Sequence, residues 1–284
     1  MFLAEGSLHP PHLIPIAEVD RLVGAIANES GAEVRTVFLS SADGTRLHAY
    51  WLRPKGQTDR GVLIAHGVGD SAWGSAGYAR MFLLRKYSVL LPESRGHGQS
   101  EGLATYGLRE ASDVRLWLEW MRRVGGVNQM YGLGESLGGS ILLDSLAPTP
   151  DFKFNAFNAA EFNAVVAECA YSSFPSIARE RAGSVLATIG LLYTRLRYGI
   201  DLTAQPQPVD AVAKTRVPIL LIHGLADRRT SPQNSLRIAR AGKSVEIWLV
   251  PGAGHVGAYA VGPAAFEDRV LDWFDRASPP PAAK

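Results

Sequence analysis

The chain has 284 residues, 46% of them hydrophobic, which is enough to bury a large core in one or two domains. Its 29 lysines and arginines nearly balance 27 aspartates and glutamates, so the net charge of +2 gives no argument for a nucleic-acid partner. The single cysteine, Cys169, cannot form an internal disulfide.

No apolar run reaches the roughly 18 residues of a transmembrane helix, and the first residues lack the basic start of a signal peptide. We therefore expect a soluble protein, for which a cytoplasmic location is favoured. Residues 5–15, with the pair Pro10-Pro11, resemble the linker that follows a membrane anchor, so an upstream anchor is the alternative. We predict an N-terminal extension over 1–30 and a disordered Pro-Ala tail over 278–284.

The first regular elements are two alternating stretches, 34–40 and 46–52, on either side of the turn signal at 42–45. This pattern predicts a hairpin of antiparallel edge strands. From residue 62 onward the chain changes to short, unbroken apolar runs, each followed by a loop and a helical stretch. Such runs are typical of strands covered on both faces, and hence of a mostly parallel sheet. The runs are 62–65, 89–91, 130–131, 165–167, 219–222 and 247–250.

Three helical stretches support this arrangement. Over 113–123, apolar residues recur at i, i+3, i+4 and i+7, with charged residues on the other face. The pair Ser231-Pro232 predicts an N-cap and a first helical position, and Gly242 predicts the end of that helix. A third helix begins at Pro263, and its apolar stripe consists of Phe266, Val270, Trp273 and Phe274. We predict one α/β domain over 31–277.

Residues 131–140 place a serine between two glycines at the end of an apolar run, in the pattern Gly-x-Ser-x-Gly. A short strand up to Tyr131 and a helix over 140–146 would put Ser136 on the strand-to-helix turn that this nucleophile motif requires. Side chains in place of the two glycines would collide with the neighbouring strand and helix. Because the pattern also occurs by chance in glycine-rich chains, the partners of Ser136 decide its meaning.

Those partners follow other predicted strands. In open parallel sheets, functional groups collect at the carboxyl ends of strands. Asp227 and His255 follow the last two strands, and His66 follows the first parallel strand. A serine, an acid and a histidine in this chain order are the parts of a nucleophile, an orienting group and a general base.

The motifs together resemble those of the α/β-hydrolases, in the serine-hydrolase branch that includes serine aminopeptidase-like esterases. The resemblance covers most of the chain. It implies an α/β-hydrolase fold with a mostly parallel sheet of about eight strands, an N-terminal antiparallel hairpin, helices on both faces and a small lid. Glu93 departs from the aspartate usual in the family, with no expected catalytic consequence. The motifs are His66-Gly67, 95–100, 134–138, and 223–227 with 252–255.

This resemblance gives each residue a role. Ser136 would attack a carbonyl carbon and form an acyl-enzyme, while His255 would accept the proton and return it. Asp227 would orient the imidazole, with Asp201 and Asp210 as alternatives. The remaining histidines are interpreted as loop anchors or as residues of the tail and edge strand: His66, His97, His223, His9, His12 and His48.

The resemblance also implies an oxyanion hole made by the backbone N–H groups of Val68 and Leu137. A small lid would lie within 171–208 and line an acyl pocket; a helix simply packed on the sheet is the alternative. The candidate pocket residues are Trp73, Val185, Ile189, Leu192, Tyr193 and Leu196. Residues 151–163 resemble an added loop, whose phenylalanines would pack locally or line an entrance: Phe152, Phe154, Phe157 and Phe162.

We therefore predict a carboxylic ester hydrolase that uses no cofactor or metal and acts on a small-molecule ester with a short to medium acyl chain. An aminopeptidase or amidase is the nearest alternative, and would need an acid near Ser136, for which Glu168 is the candidate. A lipase or lysophospholipase is a third reading, in which an apolar lid contacts lipid. A non-catalytic binding protein is the least favoured. Membrane contact is expected only through the lid or an upstream anchor.

Overall fold

The structure is a computed structural model that describes residues 2–11, 14–148, 160–204 and 206–278. Its strands are β1 (Ala32–Ser40), β2 (Arg46–Pro54), β3 (Arg60–Ala65), β4 (Ser88–Glu93), β5 (Gln129–Glu135), β6 (Ala164–Glu168), β7 (Ile219–Gly224) and β8 (Val245–Val250). Its helices are α1 (Phe2–Leu8), α2 (Ile16–Glu29), α3 (Ala72–Leu84), α4 (Glu110–Arg123), α5 (Leu137–Ser145), α6 (Phe174–Tyr198), α7 (Pro208–Lys214), α8 (Gln233–Ala241), α9 (Ala258–Val261) and α10 (Pro263–Arg276).

These eight strands form one sheet in the order β1-β2-β4-β3-β5-β6-β7-β8. The pairs β1–β2 and β2–β4 are antiparallel, and every other neighbouring pair is parallel. The predicted fold class is therefore confirmed. One detail is wrong, because β2 was expected at an edge and instead also pairs with β4, with Trp51 opposite Leu90. Six successive residues of β2 are buried, as expected for a strand covered on both faces.

Apolar strand residues alternate between two cores, one on each face of the sheet. In β3, Val62 and Ile64 join the core covered by α2, α3 and α10. Leu63 and Ala65 join the opposite core, which α4, α5, α7 and α8 cover. Because side chains of a strand point to alternate faces, this unbroken apolar run has apolar neighbours on both sides.

The three predicted helices are present, and two of them start at a slightly different residue from the one predicted. The helix expected from residue 113 begins at Glu110. Pro232, expected as the first helical residue, occupies the N-cap of α8, and Gly242 follows the last residue as the C-cap. α10 begins at Pro263 and buries the whole predicted stripe. Boundaries of this kind vary by one or two residues because helix ends fray.

The segment predicted as an N-terminal extension packs on the domain. α2 places its apolar face in the same core as α3 and α10, and the hydroxyl of Tyr50 donates to Asp20 across 2.6 Å. Packed structure therefore begins before residue 31. The buried residues of α2 are Val19, Val23, Ile26 and Ala27.

Two other predicted segments are described only in part. Most of the added loop at 151–163 lies outside the described residues, as do Phe152, Phe154, Phe157 and the tail beyond Ser278. Phe162 is described, is buried, and packs in the core against Gly132.

The interval predicted to carry a lid is mostly the single long helix α6. Its 25 residues run from Phe174 to Tyr198 and contain a kink at Gly183, where φ is 75°. A left-handed φ of this kind is tolerated best by glycine. Across the described ranges, no helix combines the length and hydrophobicity needed to cross a membrane.

Candidate active site

Ser136 lies on the tight turn between β5 and α5, with φ 50° and ψ −110°. A positive φ is costly for a serine, and such strain amounts to about 1–3 kcal/mol. The turn is held from the neighbouring strand, because the backbone N–H of Ser136 donates to the carbonyl of Glu168 across 2.7 Å. The turn thus places the hydroxyl of Ser136 at the carboxyl end of β5.

The two flanking glycines are required sterically. A Cβ atom at Gly134 would lie 2.6 Å from backbone atoms of Gly138 and Gly139, at the start of α5. A Cβ atom at Gly138 would lie 2.2 Å from the carbonyl oxygen of Ala65, at the end of β3. These are the predicted collisions with the helix and the neighbouring strand. Because glycine has no side chain at either position, α5 can approach β3 this closely.

Ser136, His255 and Asp227 are joined in series by hydrogen bonds. Nε2 of His255 lies 3.0 Å from Oγ of Ser136, and Nδ1 lies 2.7 Å from Oδ2 of Asp227. A carboxylate can only accept, so Nδ1 carries the proton and Nε2 is free to accept from the serine hydroxyl. The two alternative acids, Asp201 and Asp210, lie elsewhere: Asp201 accepts from Thr203, and Asp210 belongs to α7.

The environment of Asp227 keeps it ionised. Its side chain is fully buried, and its Oδ1 accepts from the backbone N–H groups of Arg229 and Thr230 at 2.7 and 3.0 Å. Burial acts to raise the pKa of Asp227, but the hydrogen bonds, led by that of His223, outweigh it and hold the pKa well below its ordinary value. A permanent negative charge is therefore available to stabilise a protonated His255.

His223 is a residue of this site that sequence reasoning assigned only as a loop anchor. Its Nε2 lies 2.9 Å from the carbonyl of Thr230 and 3.3 Å from Oδ2 of Asp227. Its Nδ1 lies 2.7 Å from Oγ of Ser235. The signal that could have identified it is its place in β7, four residues before Asp227, where the following turn returns towards it.

The other two loop histidines hold the segment that follows β3. Nδ1 of His66 lies 2.7 Å from the carbonyl of Gly67, and its Nε2 accepts from the backbone N–H of Ser94. Nε2 of His97 accepts from the N–H of Gly69 across 3.1 Å. These contacts agree with the predicted role as anchors, and they fix the backbone on both sides of Val68.

Glu93, the departure from the family pattern, is also an anchor. Its carboxylate accepts from the backbone N–H of Gln99 across 2.6 Å and lies 2.8 Å from Nδ1 of His48. It is buried and ties β4 to β2 and to the following loop. Among the hydrogen bonds of the described residues, none joins the carboxylate of Glu93 to Ser136.

Val68 and Leu137, predicted to provide oxyanion donors, both border the cavity onto which Ser136 opens. Leu137 is the first residue of α5, a position at which the N–H has no acceptor within the helix. The loop before Val68 approaches the serine closely, since a Cβ atom at Gly67 would lie 3.8 Å from Cβ of Ser136. Both residues therefore belong to segments next to Ser136, and their role as oxyanion donors stays a prediction.

The cavity has a volume of about 610 Å³ and contains Ser136 and His255 in its wall. Its apolar walls come from α1, from one face of α6 and the segment that follows it, and from the loops after β3, β4, β5 and β6. Ser7 and Leu8 of α1 line it, although α1 had been predicted to lie outside the domain. Other lining residues include Tyr106, Tyr171, Phe174 and Leu191.

The predicted pocket residues Trp73, Ile189, Leu192 and Tyr193 do not line this cavity. Ile189 and Leu192 are more than half exposed, and the hydroxyl of Tyr193 donates to Glu5. α6 instead turns the face that bears Ala187, Gly190, Leu191 and Thr194 to the cavity. The prediction failed because α6 is apolar on more than one face, so periodicity alone does not identify the side that packs.

Comparison with known proteins agrees with this architecture. The model of the alpha/beta hydrolase family matches residues 62–269, which is most of the chain. The chain therefore belongs to the alpha/beta hydrolase family. Human monoglyceride lipase is 24% identical to it over 256 residues, covering 77% of this chain and 82% of the lipase.

Two further comparisons extend the likeness. The uncharacterized protein YqkD of Bacillus subtilis is 25% identical over 253 residues, covering 85% of this chain and 79% of YqkD. Among solved structures, an esterase of Pyrococcus furiosus superposes with a TM-score of 0.71 at 19% identity, covering 95% of this chain and 99% of the esterase. At this identity, the esterase is evidence for the fold alone.

Proposed function

We propose that this chain is a serine carboxylic ester hydrolase, which forms an acyl-enzyme on Ser136 and acts on short to medium acyl esters. One observation carries the proposal: Oγ of Ser136, the imidazole of His255 and the carboxylate of Asp227 lie in hydrogen-bonded series at 3.0 and 2.7 Å, facing an apolar cavity of about 610 Å³. That volume is within the range of about 300–1,000 Å³ typical of small-molecule sites.

The reaction follows from this geometry. As Oγ of Ser136 attacks the ester carbonyl carbon, its proton passes to Nε2 of His255, and Asp227 stabilises the charged imidazole. The carbonyl oxygen becomes negative and accepts from the N–H groups of Val68 and Leu137. One such donor typically contributes about 10²–10³-fold in rate.

His255 then returns the proton to the alcohol oxygen as the ester C–O bond breaks, which leaves the acyl group on Ser136. A water molecule attacks this acyl-enzyme by the same route and releases the acid. Proton transfer of this kind contributes about 10²–10⁴-fold, and it requires the base within hydrogen-bond reach, as His255 is.

An ester is favoured over an aminoacyl amide by the absence of a suitable acid. Glu168 was the candidate for binding a substrate amine, but its side chain is fully buried, and its Oε1 accepts from the backbone N–H of Ala258 across 3.0 Å. No aspartate or glutamate is among the described residues that line the cavity. An ammonium group entering the cavity would thus lose its hydration without gaining an opposite charge.

A second candidate function, hydrolysis of monoacylglycerols at a lipid surface, rests on the outer face of α6. Four apolar side chains at helical spacing are more than half exposed there, next to the face that lines the cavity. The likeness to human monoglyceride lipase gives this candidate further support. The exposed residues are Val185, Ile189, Leu192 and Leu196.

The experiment that tests the proposal is hydrolysis of p-nitrophenyl esters from acetate to palmitate, together with an aminoacyl p-nitroanilide and a medium-chain monoacylglycerol. The wild type is compared with Ser136→Ala, which should lose at least about 10⁴-fold in kcat. A fluorophosphonate probe should label the wild type and not the variant. Faster cleavage of the anilide than of any ester would contradict the assignment, and absence of both labelling and hydrolysis in a folded wild type would favour a binding protein.

A further inference from the structure

The charged groups along the catalytic cavity have one sign. Apart from His255, the charged side chains among its described lining residues are Arg181 and Arg229, and no carboxylate is among them. Arg181 lies in α6, just before the kink at Gly183, and Arg229 lies two residues after Asp227. Two separate segments of the chain therefore each place an arginine in the lining of the cavity that contains Ser136.

Neither guanidinium is neutralised by the protein. Among the described residues, no carboxylate lies within ion-pair distance of Arg181 or Arg229, whereas eight other arginines pair with acidic side chains at or near the surface. The acid next to Arg181 in sequence, Glu180, accepts from Nδ2 of Asn234 at 3.1 Å and pairs with Arg237 at 3.7 Å. Asp227 is buried and already has its acceptor positions filled.

An unpaired arginine beside an apolar cleft favours an anionic ligand. The guanidinium is planar and offers several donors in a fixed arrangement that matches a carboxylate or a phosphate. A cleft whose walls have a low dielectric and whose charges have one sign concentrates ligands of the opposite sign. Both arginines are exposed, so water screens part of the attraction between their guanidinium groups and a ligand.

We propose that Arg181 and Arg229 form an anion-recognition site, so that the preferred substrates are esters that also carry a carboxylate or phosphate group. This inference rests on the proposed function as an ester hydrolase, because it concerns the substrate class of the same cavity. The anionic group binds at the cavity mouth through the two arginines, and the ester carbonyl reaches Ser136. The attraction acts on binding, so the preference appears mainly in KM.

Two substrate pairs test the proposal and distinguish where the anion sits. Mono-p-nitrophenyl adipate against p-nitrophenyl hexanoate places a carboxylate on the acyl side. 1-Hexanoylglycerol 3-phosphate against 1-hexanoylglycerol places a phosphate on the alcohol side. The rate measured with Ser136→Ala is subtracted from each wild-type rate as background. In at least one pair, kcat/KM should be about 10-fold or more higher for the anionic ester at low salt, and added salt should reduce the difference.

The variants are Arg181→Gln, Arg229→Gln and their combination. Each should lower the ratio of kcat/KM for the anionic ester to kcat/KM for the neutral ester about 5- to 10-fold, mainly through the KM of the anionic ester; Arg229→Gln keeps the backbone N–H that donates to Asp227. Arg179→Gln and Arg228→Gln are matched controls, because they remove the same charge from exposed neighbours that do not line the cavity. They should leave the preference unchanged.

Two results would overturn the anion site while leaving the hydrolase intact. One is equal kcat/KM for the charged and neutral members of both pairs. The other is an equal loss of the preference for anionic esters in Arg228→Gln and in Arg229→Gln. Such a result would show that the preference depends on the net charge of the protein and not on Arg229. Failure of the wild type to cleave any of the four esters is a different result, because it would remove the proposed function together with the inference.

Discussion

Nε2 of His223 lies 3.3 Å from Oδ2 of Asp227, the same oxygen atom that accepts from Nδ1 of His255. Because the carbonyl of Thr230 can only accept, Nε2 of His223 must carry a proton, which it shares between Thr230 and Asp227. The carboxylate of Asp227 is thus held between two imidazoles. This arrangement fixes the position of the carboxylate that orients His255.

We expect His223→Phe to lower kcat about 10-fold or more with little change in KM, because a hydrogen bond to a charged group contributes about 1.5–3 kcal/mol. His223→Gln can still donate from its amide and should recover part of the loss. Steady-state kinetics on one p-nitrophenyl ester check the prediction, with thermal unfolding as the measure of folding. Equal kcat in the wild type and the Phe variant would show that Asp227 does not depend on this donor.

The buried carboxyl group of Glu135, next to Ser136, should make the stability of the protein depend on pH. Burial raises the pKa of Glu135 to about 8, although a hydrogen bond from Tyr78 acts in the opposite direction. Between about pH 5 and pH 8 the native state therefore keeps a proton that the unfolded chain has released, so this carboxyl makes stability fall as pH rises through that range.

Glu135→Gln should remove this dependence, because an amide keeps the acceptor for Tyr78 without the buried charge. The variant should have a higher free energy of unfolding than the wild type at pH 9, by roughly 2–4 kcal/mol, and the difference should shrink towards pH 5. Urea unfolding at several pH values measures it. Glu29→Gln changes an exposed carboxylate by the same charge and should show no such trend. A constant difference across pH would contradict a raised pKa for Glu135.

Alanine substitutions at Gly138 and Gly24 should have opposite effects on the stability of the protein. Gly138→Ala puts a Cβ atom 2.2 Å from the carbonyl oxygen of Ala65, so the backbone must move; we expect a loss of about 2 kcal/mol or more and strongly reduced activity. Gly24→Ala, within α2, has nothing within 4 Å of its new Cβ atom and should stabilise the protein by about 0.5–1 kcal/mol. Unfolding midpoints of the two variants check the pair, and stabilisation by Gly138→Ala would contradict the close approach of α5 to β3.

Leu8 predicts that the N-terminal helix takes part in substrate selection. Its side chain is fully buried and lines the cavity, so Leu8→Ala should destabilise the protein by about 2–5 kcal/mol and shift the ester optimum to longer acyl chains. Val19→Ala removes a buried apolar side chain of α2, which does not line the cavity, and should leave the optimum unchanged. The p-nitrophenyl ester series measures the optimum; the same shift in both variants would indicate a loss of stability alone.

That Ser136, Asp227 and His255 lie together could be predicted from sequence for a physical reason. Ser136, Asp227 and His255 each follow an apolar run that is recognisable as a strand, and parallel strands bring their carboxyl ends to one edge. The fold class followed from the same runs. Neither the fold class nor the meeting of these three residues depends on which residues line the cavity.

The walls of the cavity could not be predicted in this way. Whether Leu191 or Leu192 of α6 faces the site depends on how that helix docks, and both residues are apolar. The position of α1 depends on contacts about a hundred residues away in sequence: the hydroxyl of Tyr106 donates to the carbonyl of Ser7, and the N–H of Ala104 donates to that of Leu8. The local sequence pattern does not indicate hydrogen bonds between residues so far apart in the chain.

The two ends of the described chain lie at opposite ends of the parallel strands. Ser7 and Leu8 border the cavity that contains Ser136, whereas the hydroxyls of Ser278 and Tyr131 are 2.6 Å apart near the start of β5, at the amino ends of the parallel strands. A fluorescent label attached at Ser7 would therefore report on the cavity, whereas one attached at Ser278 would lie at the other end of the parallel strands.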